Sequence, residues 1–202
     1  MGMRLLVGLA GMMMLLAVVP ARADAGNFSD RFTLREWGVQ AGGGDSLRSG
    51  VQLYTLQPYF GLAIWEPIDT FFDGIGAEAL WVIEPWVAIS DDTKGDSQST
   101  SFEIGVSPIF FRLTFGDWKL RPYIEGGLGI VYTELRSEIR IGDTLGTRIQ
   151  FASQGGVGLQ YSLNPDMALA LSARFRHISN AGMDSQNPGI DTIYGLLGFT
   201  FR

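Results

Sequence analysis

Beyond its first two dozen residues the chain is written in a period of two, and that period most narrows what it can fold into. From Met167 to Ser179 the odd positions carry Met167, Leu169, Leu171, Ala173, Phe175, His177 and Ser179. The even ones carry Ala168, Ala170, Ser172, Arg174, Arg176 and Ile178. A β-strand sends successive side chains to opposite faces, so this segment is greasy on one side and small or cationic on the other. Phe151, Val157, Leu159 and Tyr161 oppose Gln150, Gln154, Gly156, Gly158 and Gln160. Trp81, Ile83, Val87 and Ile89 oppose Glu78 and Glu84, while Phe102, Ile104, Val106 and Phe110 oppose Glu103 and Ser107. A soluble calyx of the lipocalin kind points its bulky apolar face inward and a charged face outward. Here the bulky face has the character of a lipid-facing surface, and the Gly, Glu, Arg and Gln face suits the packed lumen of a narrow membrane barrel.

Eight such segments follow one another, near Trp37 to Gly42, Val51 to Trp65, Ile75 to Ile89, Ser101 to Phe115, Leu120 to Tyr132, Arg148 to Tyr161, Met167 to Ile178 and Ile190 to Arg202. The expected fold is therefore all-β: an eight-stranded antiparallel transmembrane β-barrel. Gly116-Asp117-Trp118-Lys119 and Asn164-Pro165-Asp166 read as tight turns, whereas Ser90 to Thr100 and Thr133 to Thr147 are long and polar. Short turns belong at the periplasmic end of such a barrel and long loops outside, which puts the connection Ser179 to Gly189 at the external rim. The final alternate aromatics, Phe199 and Phe201, suit a terminal barrel strand, although Arg202 follows them.

Ahead of the strands, Arg4, an apolar run from Leu5 to Val19, Pro20 and Ala21-Arg22-Ala23 form a secretory signal peptide pattern. Cleavage before Asp24 gives two parts, residues 1–23 as signal peptide and 24–202 as the barrel domain. The formal net charge is −6, and losing Arg4 and Arg22 makes it −8, which argues against a nucleic-acid partner. With no cysteine and one histidine, the sequence offers no disulfide scaffold, no thiolate or histidine-cluster metal site and no cysteine nucleophile, and it calls for no cofactor. Gly126-Gly127-Leu128-Gly129 lies within a strand and opens no helix, so close packing explains it better than a nucleotide loop. Glu78, Glu84, Glu103, Glu125, Arg174 and Arg176 are expected to pair with one another inside the barrel rather than to line a pore.

The one histidine, His177, shares a strand face with Ser179, two residues on. Same-face neighbours lie roughly 6.5–7 Å apart at Cα, a gap that side chains can close so that an imidazole takes a hydroxyl proton. Asp191 opens the next strand on the face of Ile193, Leu197, Phe199 and Phe201. If His177 pairs with Asp191 across the hairpin, Phe175 meets Ile193 and Leu171 meets Leu197, so apolar partners match at each step. A nucleophile, a base and an orienting carboxylate would then converge on the outer wall at the external rim. The plainer alternative makes His177 an interfacial residue and Ser179 and Asn180 the opening of a loop.

The wider segment Arg176-His177-Ile178-Ser179-Asn180-Ala181-Gly182, followed by Asn187-Pro188-Gly189-Ile190-Asp191, resembles the active-site hairpin of the PagL-like lipid A 3-O-deacylases of Gram-negative outer membranes. That resemblance implies a serine esterase that hydrolyses the ester-linked acyl chain at position 3 of the proximal glucosamine, with lipid A or lipopolysaccharide as substrate. By position His177 would be the base, Ser179 the nucleophile and Asp191 the orienting acid. The family usually carries Glu at the acid position, so the shorter Asp191 calls for a different strand separation or a bridging water, with Asp184 in the loop as the alternative. Asn180, Gly182 and Asn187 match the family motif and are candidates for stabilising the oxyanion or shaping the loop. Turn-making explains the asparagines equally well. The resemblance further implies an outer-membrane location with the active site at the external leaflet. A homodimer is compatible with the sequence. A small structural or adhesion barrel and a lipid acyltransferase are the competing functions.

Overall fold

The computed structural model describes residues 32–92, 100–134, 145, 147–185, 187 and 189–202. The expected signal peptide and its cleavage point, and most of the two long polar loops, lie outside the described residues. Eight antiparallel strands close into a barrel in sequence order: β1 (Leu34–Ser46), β2 (Val51–Ala63), β3 (Ala77–Asp92), β4 (Thr100–Phe115), β5 (Leu120–Thr133), β6 (Ile149–Asn164), β7 (Met167–Ser179) and β8 (Ile190–Phe201). Each strand pairs with the next and β1 pairs with β8, so no edge is left unsatisfied, as a wall in hydrocarbon requires.

The alternation read from the sequence is the alternation of the wall, except in β4, where a shift of register between Val106 and Ile109 turns Phe110, expected on the lipid face, into the lumen. Ile104, Leu128, Val157, Leu171, Ile193 and Leu197 are exposed on the outside, whereas Glu36, Gln40, Gln57, Glu84, Glu103, Arg112, Glu125, Arg174 and Arg176 are buried inside. The lumen is nevertheless mixed. Tyr59, Leu80, Val82 and Phe110 form one apolar cluster within it, and Leu53, Trp86, Val131, Ile178, Tyr194 and Leu196 belong to a second.

Between these clusters the buried charges pair. Arg174 donates through both Nη atoms to the two oxygens of Glu84, at 2.6 and 2.8 Å, and through Nε to Glu125 at 2.6 Å. Arg112 holds the other Glu125 oxygen through Nε and Nη2, at 3.0 and 2.9 Å, and reaches Glu36 at 2.9 Å. Its guanidinium also lies 4.5 Å from the Tyr59 ring centre and 4.7 Å from that of Tyr123. Arg176 donates to Glu103 at 2.8 Å. Charges withdrawn from water are tolerated when each finds a partner, so the acids and arginines of the lumen act as filling and not as a conducting path.

Glycines let the strands approach where the barrel closes. A Cβ on Gly42 would lie 1.8 Å from the carbonyl oxygen of Gly195, and one on Gly198 would lie 2.1 Å from that of Val39, both across the β1–β8 seam.

Several boundaries differ from the expected ones. β1 starts earlier and runs on through Gly42-Gly43-Gly44, held between β2 and β8 despite the weak strand preference of glycine. β2 stops at Ala63 and β3 starts at Ala77, because a helix, α1 (Glu66–Gly74), stands between them. Pro67 in the first turn and the acids Glu66 and Asp69 suit its N-terminal end. The helix and the two tight turns, 116–119 and 164–166, share one end of the barrel, and the β7–β8 connection is at the other.

Candidate active site

β7 and β8 pair in the register that matched apolar partners predict: Phe175 opposite Ile193, Leu171 opposite Leu197 and His177 opposite Asp191. Direct opposition brings His177 Nδ1 to 2.7 Å from Asp191 Oδ1. An ionised carboxylate can only accept, so Nδ1 carries the proton, and in the neutral ring that leaves the lone pair on Nε2, the tautomer a general base needs. The two side chains are 39% and 33% exposed, which sets them on the outer wall, one pair from the external end of the hairpin. Asp191, and not Asp184, therefore holds the imidazole, and it does so directly despite its shorter side chain. Asp184 sits in the connecting loop with Ser185 Oγ 3.4 Å away.

Ser179 ends β7 on the same face and pairs with Phe151 of β6, as His177 pairs with Ser153. Among the described residues the hydrogen bonds include none between Ser179 and His177, so the structure joins two of the three expected groups and leaves the third alongside.

The loop that follows is built by its asparagines. The Asn180 N–H donates to Asn187 Oδ1 at 2.8 Å, the Gly182 N–H donates to Asn180 Oδ1 at 2.9 Å, and the Met183 N–H donates to the Asn180 carbonyl at 3.0 Å. Asn180 is fully buried and its Nδ2 reaches the Leu145 carbonyl at 3.3 Å. The side chains of Asn180 and Asn187 are thus engaged in shaping the backbone. That backbone turns through Ala181 at φ 53° and Gly182 at φ 82°, and among the described residues the Ala181 N–H has no acceptor. Sequence reading passed over Ala181, whose side chain carries no chemistry.

It also gave Gly189, part of the matching hairpin, no role of its own at the site. Gly189 has φ 68°, and a Cβ there would lie 2.5 Å from His177 Cε1 and 3.2 Å from Nε2. Bare backbone therefore lies against the free edge of the imidazole. Among the described residues no group of three or more His, Cys, Asp or Glu side chains could hold a metal ion.

An eight-stranded closed barrel with an apolar outer wall and a charged, filled lumen defines the class of membrane-barrel proteins, and on its outer wall an imidazole–carboxylate pair lies beside a serine. A sequence profile of the family described as Lipid A 3-O-deacylase (PagL) matches residues 69–200, and the chain belongs to that family. Among solved structures, the crystal structure of the outer membrane enzyme PagL is similar at 20% identity and TM-score 0.64, covering 80% of this chain and 97% of that one. That of Neisserial surface protein A is similar at 10% identity and TM-score 0.50, covering 82% and 94%. Both show the outer-membrane barrel fold. No match is found among the curated proteins.

Proposed function

We propose that this lipid A 3-O-deacylase works as a serine esterase with Ser179 as nucleophile, His177 as general base and Asp191 as the group that orients the base. The observation that carries the reading is the 2.7 Å bond between His177 Nδ1 and Asp191 Oδ1 on the outer wall, two residues from a serine on the same face. An imidazole and a carboxylate at a lipid boundary lose hydration, a cost a purely structural barrel has no reason to bear.

His177 Nε2 takes the Ser179 proton as Oγ attacks the carbonyl carbon of the ester that links the 3-hydroxyacyl chain to position 3 of lipid A. The tetrahedral oxyanion collapses, the C–O bond to the sugar breaks, and the imidazolium returns its proton to the departing alkoxide. Water then gives a proton to His177 and adds to the acyl-enzyme. Collapse releases the hydroxy acid and restores the serine. Asp191 stays ionised throughout and stabilises the imidazolium. The Ala181 N–H, two residues from Ser179 and without an acceptor among the described residues, is suited to receive the oxyanion, with Asn180, Gly182 and Asn187 fixing its direction. The apolar wall below the site, Phe175, Ile193 and Ala173, continues into a recess bounded by Ile124, Val157, Leu159 and Leu171, a surface suited to an acyl chain still in the outer leaflet.

The test is mass spectrometry of lipid A from cells making the intact protein beside cells making Ser179→Ala at equal outer-membrane abundance. Loss of one hydroxyacyl chain with the intact protein alone supports the assignment. Equal loss in both removes Ser179 from the mechanism, and a gain of the acyl group by another lipid makes the enzyme a transferase.

A further inference from the structure

α1 has no buried residue, yet it is strongly two-sided. Trp65, Ile68, Phe71 and Ile75 are 60%, 37%, 63% and 60% exposed. At 100° per residue these four positions fall within an arc of about 120°. Glu66 and Asp73 fall on the opposite side of the helix and Asp69 on the flank between, and the helix has no basic residue in its last turn. An apolar stripe of that size on a short helix is stable only against something apolar, and the barrel does not supply it: the helix packs on β3 and turns the stripe outward.

What lies beside that stripe is given by the wall. The helix starts three residues after β2 ends at Ala63, and β3, paired with β2 as far as Leu80, runs on to Ala77 beside it. The helix therefore continues the lipid-facing surface of β2 and β3, where Phe60 is exposed, past the end of the sheet. The two tight turns at the same end carry comparable groups, Trp118 in one and Leu163 at the edge of the other, both exposed. Aromatic and apolar groups gathered at one level around a barrel mark the boundary between hydrocarbon and headgroups.

We propose that α1 lies in the headgroup–acyl boundary of the periplasmic leaflet, with the Trp65–Ile75 stripe among the acyl chains and Glu66 and Asp73 in the aqueous phase. Its occupant is the phospholipid of the membrane the barrel spans, continuous with the lipid on the wall. The device has a use, because strands of 12 to 16 residues exceed the roughly 9–11 that cross a bilayer, and a bare wall could slide along its axis. An interfacial helix at one end fixes the height of the wall, and with it the level at which His177 meets the other leaflet.

The absence of cysteine from the chain makes the test clean. The full protein is placed in vesicles of phosphatidylethanolamine and phosphatidylglycerol with a single spin label at Phe71→Cys, Ile75→Cys, Asp73→Cys or, as a reference in the hydrocarbon, Leu128→Cys. Collision with oxygen is compared with collision with a water-soluble nickel chelate. Labels at 71 and 75 are expected to favour oxygen, as at 128, and the label at 73 to favour nickel. Nickel preference at 71 and 75 overturns the proposal. So does dipolar broadening between labels at 71, which would put a second copy of the chain against the stripe.

Discussion

Gly189→Ala tests the arrangement of the site with a single methyl group. Two effects follow from the geometry. The first is backbone strain, since φ is 68° and a left-handed conformation costs an L-residue about 1–2 kcal/mol. The second is collision, since the new Cβ would stand 2.5 Å from His177 Cε1 where ordinary contact begins at 3.4 Å, so the ring edge must retreat by about 0.9 Å. The ring is tied to Asp191 at Nδ1, and retreat at the opposite edge rotates Nε2 away from the face it shares with Ser179. A misplacement of about 1 Å between reacting groups is worth on the order of 10²-fold in rate. Strain alone is isolated by Gly76→Ala, where φ is 72° and a Cβ meets nothing within 4 Å, at the far end of the barrel. The assay is the initial rate of acyl release from lipid A in mixed vesicles, beside urea unfolding of each variant. Both variants are expected to lose a similar amount of stability, about 1–2 kcal/mol, while only Gly189→Ala loses about 10²-fold in rate. A Gly189→Ala enzyme within threefold of the parent rate would refute the view that this edge of His177 is the working one.

Asp191→Asn removes the charge but not the shape, and an amide can present its N–H to Nδ1 and stabilise the wrong tautomer. The rate is expected to fall by on the order of 10³- to 10⁴-fold with the circular dichroism of the barrel unchanged, and a loss below tenfold would remove Asp191 from the mechanism. Arg174→Met leaves the Glu84 and Glu125 carboxylates short of their shared cation inside the lumen. It is expected to cost about 3–5 kcal/mol in urea unfolding from vesicles, part of it restored by adding Glu84→Gln, and an unchanged midpoint would show the network to be dispensable.

What the sequence disclosed, and what it withheld, follows from the reach of each signal. Strand periodicity is local and bulky, so β4 to β8 were legible to within a few residues. The His177–Asp191 register was legible too, because a slip of one residue would send Phe175, Leu171 and their partners to the wrong face. α1 was not read. Its nine residues include Thr70, Phe71 and Phe72, poor helix formers, and its apolar stripe runs into the strand patterns on either side. β1 was ended at Gly42 because Gly43 and Gly44 bring no side chains whose alternation could be read, whereas Gly42 and Gly44 are the small residues that allow the β1–β8 seam to close. Gly189 and Ala181 were missed as site residues for a shared reason. Each contributes backbone only, one by lacking a side chain next to His177 and the other through an N–H, and neither property has a pattern along the chain.

The aspartate at position 191 shows how a wall of this kind sets chemistry through register. An acid diagonal to the histidine would need the extra methylene of glutamate to reach Nδ1, and a bridging water would be the recourse of an aspartate there. Directly opposite residues on antiparallel strands hold their Cβ atoms about 4.5–5.5 Å apart, which two short side chains can span. Asp191 is directly opposite, and the 2.7 Å bond needs no intermediary. Direct opposition is itself fixed from below. Phe175 against Ile193 and Leu171 against Leu197 lock the hairpin on the outside, and Arg174 and Arg176, on the alternate residues, are tied to Glu84, Glu125 and Glu103 on the inside. The lumen charges thus do for the outer face what a protein core does for an ordinary active site. They hold the strand that carries His177 and Ser179 from behind, so that a site with lipid on one side can keep its geometry without being enclosed.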